Sequence, residues 1–183
     1  MTAAPVVGVA AVVAGYALGT LPVAIVVARR RGVDPTSAGS GNPGATNVLR
    51  TAGRAAGIVT LLGDVAKGVA ATGIGWAVGG RGLAVACGVA AVVGHVAPVT
   101  RGFRGGKGVA TGFGLACATF PLAAVAGVAW FYAVRVLMRR PSVVSQAAIV
   151  TLPVVALASG ATWSELAWLI VAVLVVLTKL LTS

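Results

Sequence analysis

The sequence predicts an all-α integral membrane protein with about seven transmembrane helices, its amino terminus outside the cell and its carboxyl terminus in the cytoplasm. Of the 183 residues, 58% are hydrophobic and only 9% are charged. Soluble domains are about 45–50% apolar and about 25% charged, so these few charges are insufficient to cover a water-exposed surface. The apolar residues form continuous runs rather than alternating with polar ones, which argues against a transmembrane β-barrel. We therefore treat residues 1–183 as a single membrane domain.

The first apolar run, about Ala3 to Ala28, fixes the predicted orientation. No basic residue precedes it and Arg29 to Arg31 follow it directly, the reverse of a signal peptide's charge order. Because Lys and Arg collect in cytoplasmic loops, this run is expected to be retained as a span with its amino terminus outside. Gly15, Gly19 and Pro22 within it suit close helix packing or a kink.

A polar segment at about 29–54 is predicted to form the first cytoplasmic loop. The second apolar run, about Ala55 to Val78, contains Asp64 and Lys67, which lie one helical turn apart and are expected to pair. A glycine-rich turn at Gly79 to Gly82 follows.

The third run, Leu83 to Val99, leads into a second basic loop at about 100–108. Alternation of sides then places both basic loops together in the cytoplasm, which agrees with the excess of Lys and Arg that gives a formal net charge of +11.

The next apolar stretch, Val109 to Leu137, is about 29 residues long, whereas a helix needs only about 20 to cross hydrocarbon. It is either one tilted span or two short spans bent around Phe120 and Pro121. The bent arrangement is favoured because it returns Arg135, Arg139 and Arg140 to the cytoplasm.

Two further spans are predicted, from Val143 to about Ala158 and from Leu166 to Leu177, joined by an outer turn at Ser159 to Glu165. This arrangement leaves Arg81 as the only basic residue outside.

Both basic loops are typical of anion-binding segments. The first contains Ser40, Gly41, Asn42, Gly44, Thr46, Asn47 and Arg50, and the second contains Gly105, Gly106 and Lys107. Glycines let backbone N–H groups approach an oxyanion, hydroxyl and amide groups add neutral donors, and Arg or Lys supplies charge-assisted bonds. A helix beginning near Val109 would place Lys107 at its positive end. For either loop alone, a flexible membrane turn is an equally good interpretation.

Other ligand classes find little support. The loops lack the Walker spacing, which argues against a nucleotide. Cys87 and Cys117 lie in apolar runs without metal-ligand spacing, so no metal or cofactor is predicted. The basic residues adjoin spans and lack an aromatic platform, which argues against nucleic acid.

Two long segments carry a family resemblance. They are Ser40 to Arg50 and Gly94 to Val99 with its continuation Phe103 to Thr111; shorter matches are Tyr16 to Pro22, Asp64 to Gly68 and Ser142 to Ser145. Together they closely resemble the bacterial acyl-phosphate-dependent glycerol-3-phosphate acyltransferases.

The resemblance implies a seven-helix integral membrane enzyme, which we expect to be a monomer in the bacterial cytoplasmic membrane with its active site on the cytoplasmic face. It would transfer a fatty acyl group from acyl phosphate to the 1-hydroxyl of glycerol 3-phosphate, giving lysophosphatidic acid and phosphate. By position, Ser40, Arg50 and Lys107 would bind substrate phosphate and Ser145 would complete the polar site. Asn42, Thr46 and Asn47 would shape the first loop, and Gly105 and Gly106 would offer backbone donors.

A general base is hard to assign. Asp34, Asp64, Glu165 and His95 are the candidates, and His95 is at least as well explained as a buried structural residue. In the resembled family the phosphate of glycerol 3-phosphate is thought to accept the hydroxyl proton, which leaves the protein to bind and orient.

The sequence departs from the family pattern at two places. The family's third signature, with a His and an Asn in a basic tail, has no counterpart in Leu177 to Ser183, and Thr100 and Arg101 replace an aromatic and an apolar residue. Two alternatives therefore stand beside the enzyme: a weakly active homologue, and a membrane binding or transport protein for a phosphorylated solute or anionic lipid.

Overall fold

The computed structural model describes residues 3–137 and 152–182, and in these residues every regular element is helical. The elements are α1 (Ala3–Gly19), α2 (Val23–Arg29), α3 (Ala45–Thr51), α4 (Arg54–Val96), a one-turn 3₁₀ helix (Val99–Arg101), α5 (Val109–Thr119), α6 (Pro121–Leu137), the helical residues 152–158 (α7) and α8 (Trp163–Leu181). Within the described ranges, three segments are long and apolar enough to cross a membrane: Pro5–Arg29, Arg54–Arg101 and Trp163–Leu181. The predicted all-α architecture is confirmed for these residues.

Helix α4 is folded back on itself at the predicted glycine turn. Gly79 and Gly80 have non-helical backbone angles, and Gly80 has a φ of 76°, which favours glycine. The residues on either side, which we call the first arm (54–78) and the second arm (81–96), run antiparallel. An added Cβ at Gly88 in the second arm would lie 2.6 Å from the hydroxyl oxygen of Thr72 in the first, so the arms are in close contact.

Glycines in α1 allow this helix to pack closely on the second arm. A side chain at Gly15 would collide with the backbone of Cys87, and one at Gly19 with the backbone of Ala91. The close packing predicted for these glycines is confirmed. The predicted first span is also interrupted, because α1 ends at Gly19 and Pro22 precedes α2.

The long apolar stretch after residue 108 forms two helices, as the charge pattern favoured. Helix α5 ends at Thr119 and α6 begins at Pro121, with the backbone of Phe120 outside the helical region at a φ of −135°. Pro121 has no N–H to continue the hydrogen-bond ladder of α5. The residues expected to follow α6 on the cytoplasmic side, Arg139 and Arg140, lie outside the described residues.

Helix α8 begins at Trp163, three residues before the predicted start of the last span. The hydroxyl of Thr162 accepts the N–H of Glu165, while the Glu165 carboxylate accepts the N–H of Thr162. This capping box satisfies backbone donors at the helix start, and it explains why the helix includes residues that hydropathy alone assigned to a turn. Most of the predicted span Val143 to Ala158 lies outside the described residues; 152–158 are helical.

The core lies between the second arm, α5 and α8. Its buried side chains include Val85, Val89, Val92, Leu115 and Leu169. By contrast, large apolar side chains on the outer faces are exposed, as a lipid-facing surface requires: Leu122 is 71% and Leu174 is 58% exposed.

Candidate functional site

The first basic loop is folded around Asn47, whose side chain is only 2% exposed. Its Oδ1 accepts the N–H of Ser40 at 2.9 Å, and its Nδ2 donates to the carbonyl oxygens of Pro35 and Ala38 at 2.9 and 3.0 Å. Both amide hydrogens are thus used within the loop. Asn47 therefore fixes the path of the loop. The short helix α3, which begins at residue 45 and which hydropathy did not predict, supplies this side chain.

Other polar groups of the first loop remain accessible. Ser40 stands between Gly39 and Gly41, which have φ values of 63° and 70°, and its side chain is exposed. Thr46 and Arg50 are exposed as well. Gly44 precedes α3 as its N-cap.

Asn42 carries an unsatisfied acceptor in this loop. Its Oδ1 is buried and has no hydrogen-bond partner in the described part of the chain. An unpaired buried acceptor costs free energy unless a ligand or water pairs with it. Asn42 is therefore suited to a ligand donor.

The second basic loop is attached to the end of α4 by its glycines. The N–H of Gly105 donates to the carbonyl oxygen of Val96 at 3.0 Å, and that of Gly106 to the carbonyl oxygen of His95 at 3.1 Å. We expected these two N–H groups to be free for acyl phosphate, and that expectation is wrong in this structure because both are used by the fold. A side chain at Gly105 would collide with the His95 and Val96 carbonyls, so this glycine allows the close approach.

The two loops meet at Gly106. A Cβ added there would lie 2.9 Å from the carbonyl oxygen of Pro43 in the first loop and would collide with the imidazole of His95. Lys107 follows immediately and is partly exposed. Gly108, with a φ of 79°, is the N-cap of α5, so the helix predicted to begin near Val109 is confirmed. The structure thus brings Lys107 to the junction between the loops, at the positive end of α5.

A buried polar cluster lies beneath this junction, comprising Asp64, Lys67, His95 and Thr111. Nζ of Lys67 lies 2.8 Å from Oδ1 of Asp64, so their predicted pairing is confirmed. Nδ1 of His95 lies 3.4 Å from the same oxygen and 3.3 Å from Oγ1 of Thr111. His95 is only 5% exposed, and its place directly under Gly106 is that of a support for the second loop.

Tyr16 helps to hold the second loop in place, a role that we did not predict from the sequence. Its hydroxyl donates to the carbonyl oxygen of Ala97 at 2.8 Å and accepts the N–H of Val99 at 3.0 Å. It thereby ties α1 to the segment that enters the second loop. A tyrosine within an apolar helix could have indicated such a contact, because its hydroxyl needs a polar partner where the ring is packed among apolar groups.

Each of the three acidic side chains of the chain forms an ion pair with a basic side chain. Asp34 pairs with Arg29, Asp64 with Lys67, and Glu165 with Arg81, each at 2.8 Å. Hydrogen bonds from Thr36 and the Arg29 guanidinium hold the pKa of the Asp34 carboxyl well below its usual range. Since the sequence has only three Asp and Glu residues, no carboxylate side chain remains for the exposed cations at the loops.

Arg50 and Lys107 therefore have no carboxylate side chain as partner in the part of the chain that the structure describes. Cations of this kind suit a phosphorylated ligand. Ser145, the remaining predicted site residue, lies outside the described residues. No cluster of His, Cys, Asp and Glu within residues 3–137 and 152–182 has the grouping needed for a metal ion.

Apolar helices that end in two converging basic, glycine-rich loops are the architecture of an integral membrane protein whose polar loops meet. The family model described as glycerol-3-phosphate acyltransferase matches residues 9–182. The chain therefore belongs to the glycerol-3-phosphate acyltransferase family, as the sequence resemblance indicated, and is an enzyme of the acyltransferase class.

Individual relatives agree with this assignment. A glycerol-3-phosphate acyltransferase of Thiobacillus denitrificans is 46% identical over 151 residues, covering 79% of this chain and 76% of the relative. One from Rubrobacter xylanophilus is 43% identical over 150 residues, covering 81% and 75%.

Two crystal structures of PlsY (YgiH), an integral membrane glycerol 3-phosphate acyltransferase, are similar in fold. Its glycerol 3-phosphate form has a TM-score of 0.89 and its lysophosphatidic acid form one of 0.88. Each is 31% identical and covers 94% of this chain and 87% of the relative.

Proposed function

We propose that this protein transfers a fatty acyl group from acyl phosphate to the 1-hydroxyl of glycerol 3-phosphate, giving lysophosphatidic acid and inorganic phosphate. The observation that carries the proposal is the meeting of the two basic loops at Gly106, against Pro43. A reaction between two phosphorylated substrates requires two phosphate-binding segments side by side, and two adjoining basic loops are suited to that role.

The proposed chemistry needs no protein nucleophile. The 1-hydroxyl oxygen attacks the acyl carbon, a new ester bond forms, and the bond from that carbon to the phosphate oxygen breaks. Acyl phosphate is already activated, so the main requirement is to neutralise the phosphate that departs and to align the two substrates. In this proposal Lys107, Arg50 and Ser40 bind phosphoryl oxygens, and Ser145 completes the polar site.

Proton removal is assigned to the substrate. Asp34 and Asp64 each hold a cation, and Glu165 is paired with Arg81 beside Gly160, near the turn of α4 and away from the loops. None of the three carboxylates is placed to accept the hydroxyl proton. We assign that proton to the phosphate of the glycerol 3-phosphate molecule, as the resemblance implies.

Asn42 and Thr46 are assigned to the binding of glycerol 3-phosphate. The unpaired Oδ1 of Asn42 is an acceptor, and a substrate hydroxyl is the donor that would satisfy it. Thr46 is exposed on the same loop and offers a hydroxyl. Gly41 and Gly44 allow the loop to turn around the ligand, and His95 supports the second loop from below.

The PlsY relative favours an enzyme over a protein that only binds or transports its ligand. PlsY has been crystallised in a glycerol 3-phosphate form and in a lysophosphatidic acid form. One is a phosphorylated acceptor and the other is its acylated form. The similarity in fold to both forms supports an enzyme that makes the bond between them.

We also propose that the chain is a monomer. For its topology, we propose seven spans in the bacterial cytoplasmic membrane, with the amino terminus outside and both basic loops in the cytoplasm. The support is the charge distribution: the exposed Arg29, Arg30, Arg50 and Arg104 lie in or beside the two loops, whereas Arg81 lies at the α4 turn and is paired with Glu165. Basic residues at one end favour a cytoplasmic location for that end.

The donor assignment is tested with the purified protein, palmitoyl phosphate and glycerol 3-phosphate, with detection of lysophosphatidic acid. We expect turnover with acyl phosphate and none with acyl-CoA, because neither loop has the residues or the size to hold an adenine nucleotide. Efficient use of acyl-CoA would contradict the assignment, and binding of glycerol 3-phosphate without turnover would favour the binding protein.

A further inference from the structure

Arg101 is a cation that the proposed chemistry has not used. It ends the 3₁₀ turn Val99–Arg101, directly before the second loop, and is partly buried. Its Nε is fully buried and has no hydrogen-bond partner among the residues that the structure describes. A guanidinium N–H without an acceptor is costly in a buried place, so this group calls for an acceptor from outside the described fold.

The surroundings of Arg101 favour an anion as that acceptor. Arg101 forms no ion pair in the part of the chain that the structure describes. Asp64 is paired with Lys67 at 2.8 Å. The other two carboxylates of the chain are held by Arg29 and Arg81. No carboxylate side chain therefore compensates the positive charge of Arg101.

The position of Arg101 in the fold also favours binding of an anion. The segment that carries Arg101 is tied to α1 through the Tyr16 hydroxyl, which accepts the N–H of Val99. The carbonyl oxygen of Arg101 accepts the N–H of Arg104 at 3.2 Å. Arg101 is therefore held on a turn four residues before Gly105, with its Nε buried.

We propose that Arg101 is a third phosphate-binding cation of this site, and that its guanidinium donates to a phosphoryl oxygen of a substrate phosphate monoester. The phosphate belongs either to glycerol 3-phosphate or to acyl phosphate. This inference rests on the proposed function and adds to it a residue outside the positions assigned to substrate.

The test compares Arg101→Leu with Arg104→Leu, which removes the same charge from an exposed position of the same loop. For each variant, kcat and the KM for glycerol 3-phosphate and for acyl phosphate are measured separately. We expect Arg101→Leu to raise the KM of one substrate by about tenfold or more, the loss typical of a hydrogen bond to a charged group. Arg104→Leu should stay within about threefold of the unmodified protein.

The substrate whose KM rises is the one whose phosphate Arg101 holds. Arg101→Leu with both KM values unchanged would overturn the proposal. Equal effects of the two substitutions would do the same, because they would show a diffuse positive surface. If Arg101→Leu does not fold, Arg101→Gln, which removes the charge but keeps an amide donor, provides the same comparison.

Calorimetric titration with inorganic phosphate separates this proposal from the proposed function. If the unmodified protein has no acyl transfer activity, the proposed function fails. The proposed role of Arg101 in phosphate binding is then still supported if Arg101→Leu binds phosphate more weakly than Arg104→Leu does. Equal phosphate binding by the two variants would overturn the proposed role of Arg101.

Discussion

Gly106 and Pro43 are in such close contact that a Cβ added to the glycine would lie 2.9 Å from the proline carbonyl oxygen. The contact joins two loops whose glycine-rich segments are about sixty residues apart in sequence. On the other side of Gly106 lies the imidazole of His95, so the second loop has backbone on one side and a buried ring on the other. Lys107 takes its position from this contact.

Gly106→Ala should lower kcat/KM by about tenfold or more. The added methyl group forces the two loops apart, and misplacement of binding groups by about 1 Å can cost up to about 100-fold in rate. The control is Gly112→Ala in α5, where a Cβ would lie 3.8 Å from Val92, an ordinary contact. Equal activity of the two variants would contradict the importance of the loop contact.

Lys107→Ala should lower turnover by roughly 30- to 1000-fold, since a charge-assisted contact made in the transition state is worth on the order of 2–4 kcal/mol. Arg50→Lys should also impair the enzyme, because an ammonium group does not reproduce the two parallel hydrogen bonds of a guanidinium to phosphate. Arg30→Ala is the matched control, being exposed at the same end of the molecule. A similar loss in all three variants, with normal membrane insertion, would indicate a diffuse charge effect instead of a site.

Removal of one member of the buried Asp64–Lys67 pair should destabilise the protein strongly. Both side chains are 3% exposed, and a buried charge that loses its partner costs about 3–5 kcal/mol. We expect Asp64→Asn to lower the Tm in detergent, and the double variant Asp64→Asn with Lys67→Met to recover part of the loss. The exposed pair Arg29–Asp34 is the control: Asp34→Asn should change the Tm little. No recovery in the double variant would contradict a paired-charge origin.

The carboxyl group of Asp34 should titrate well below its usual range because it accepts hydrogen bonds from Thr36 and Arg29. A lowered native pKa means that its contribution to loop stability is present above the ordinary value of about 4 and is lost as the pH falls through the native pKa. Thr36→Val removes the hydroxyl donor and should raise this pKa. Titration of the Asp34 carboxyl carbon by NMR provides the measurement, and an unchanged pKa in the variant would contradict the assignment.

The proposed topology predicts the sides from which single cysteines are labelled in intact cells. In a background with Cys87 and Cys117 replaced by alanine, Arg104→Cys and Thr36→Cys should react only when the cytoplasm is accessible. Gly82→Cys should react from outside, and its position has open space for a side chain. Outside labelling at position 104 would place the loops on the opposite face.

Hydropathy and charge, which are local properties, were sufficient to predict most helices. The break at Pro121, the turn at Gly79 and the helix start at Val109 follow from the chemistry of single residues and were confirmed. The pairing of Asp64 with Lys67 was also predictable, because an i,i+3 relationship is fixed by the helix itself. Helix α3 was missed because four of its seven residues are polar and it has no long apolar run.

What the sequence by itself determined about this protein was its class, its family and the two basic loops to which the site is assigned by proposal. Apolar length, loop charge and motif identity can all be read along the chain. The tertiary structure decided which groups meet across it. The hydroxyl of Tyr16 reaches Ala97 over 81 residues, and Arg81 reaches Glu165 over 84. Tertiary contact also placed the N–H groups of Gly105 and Gly106 on carbonyl oxygens. Such contacts depend on how helices pack, and local pattern contains no information about a partner so distant in sequence.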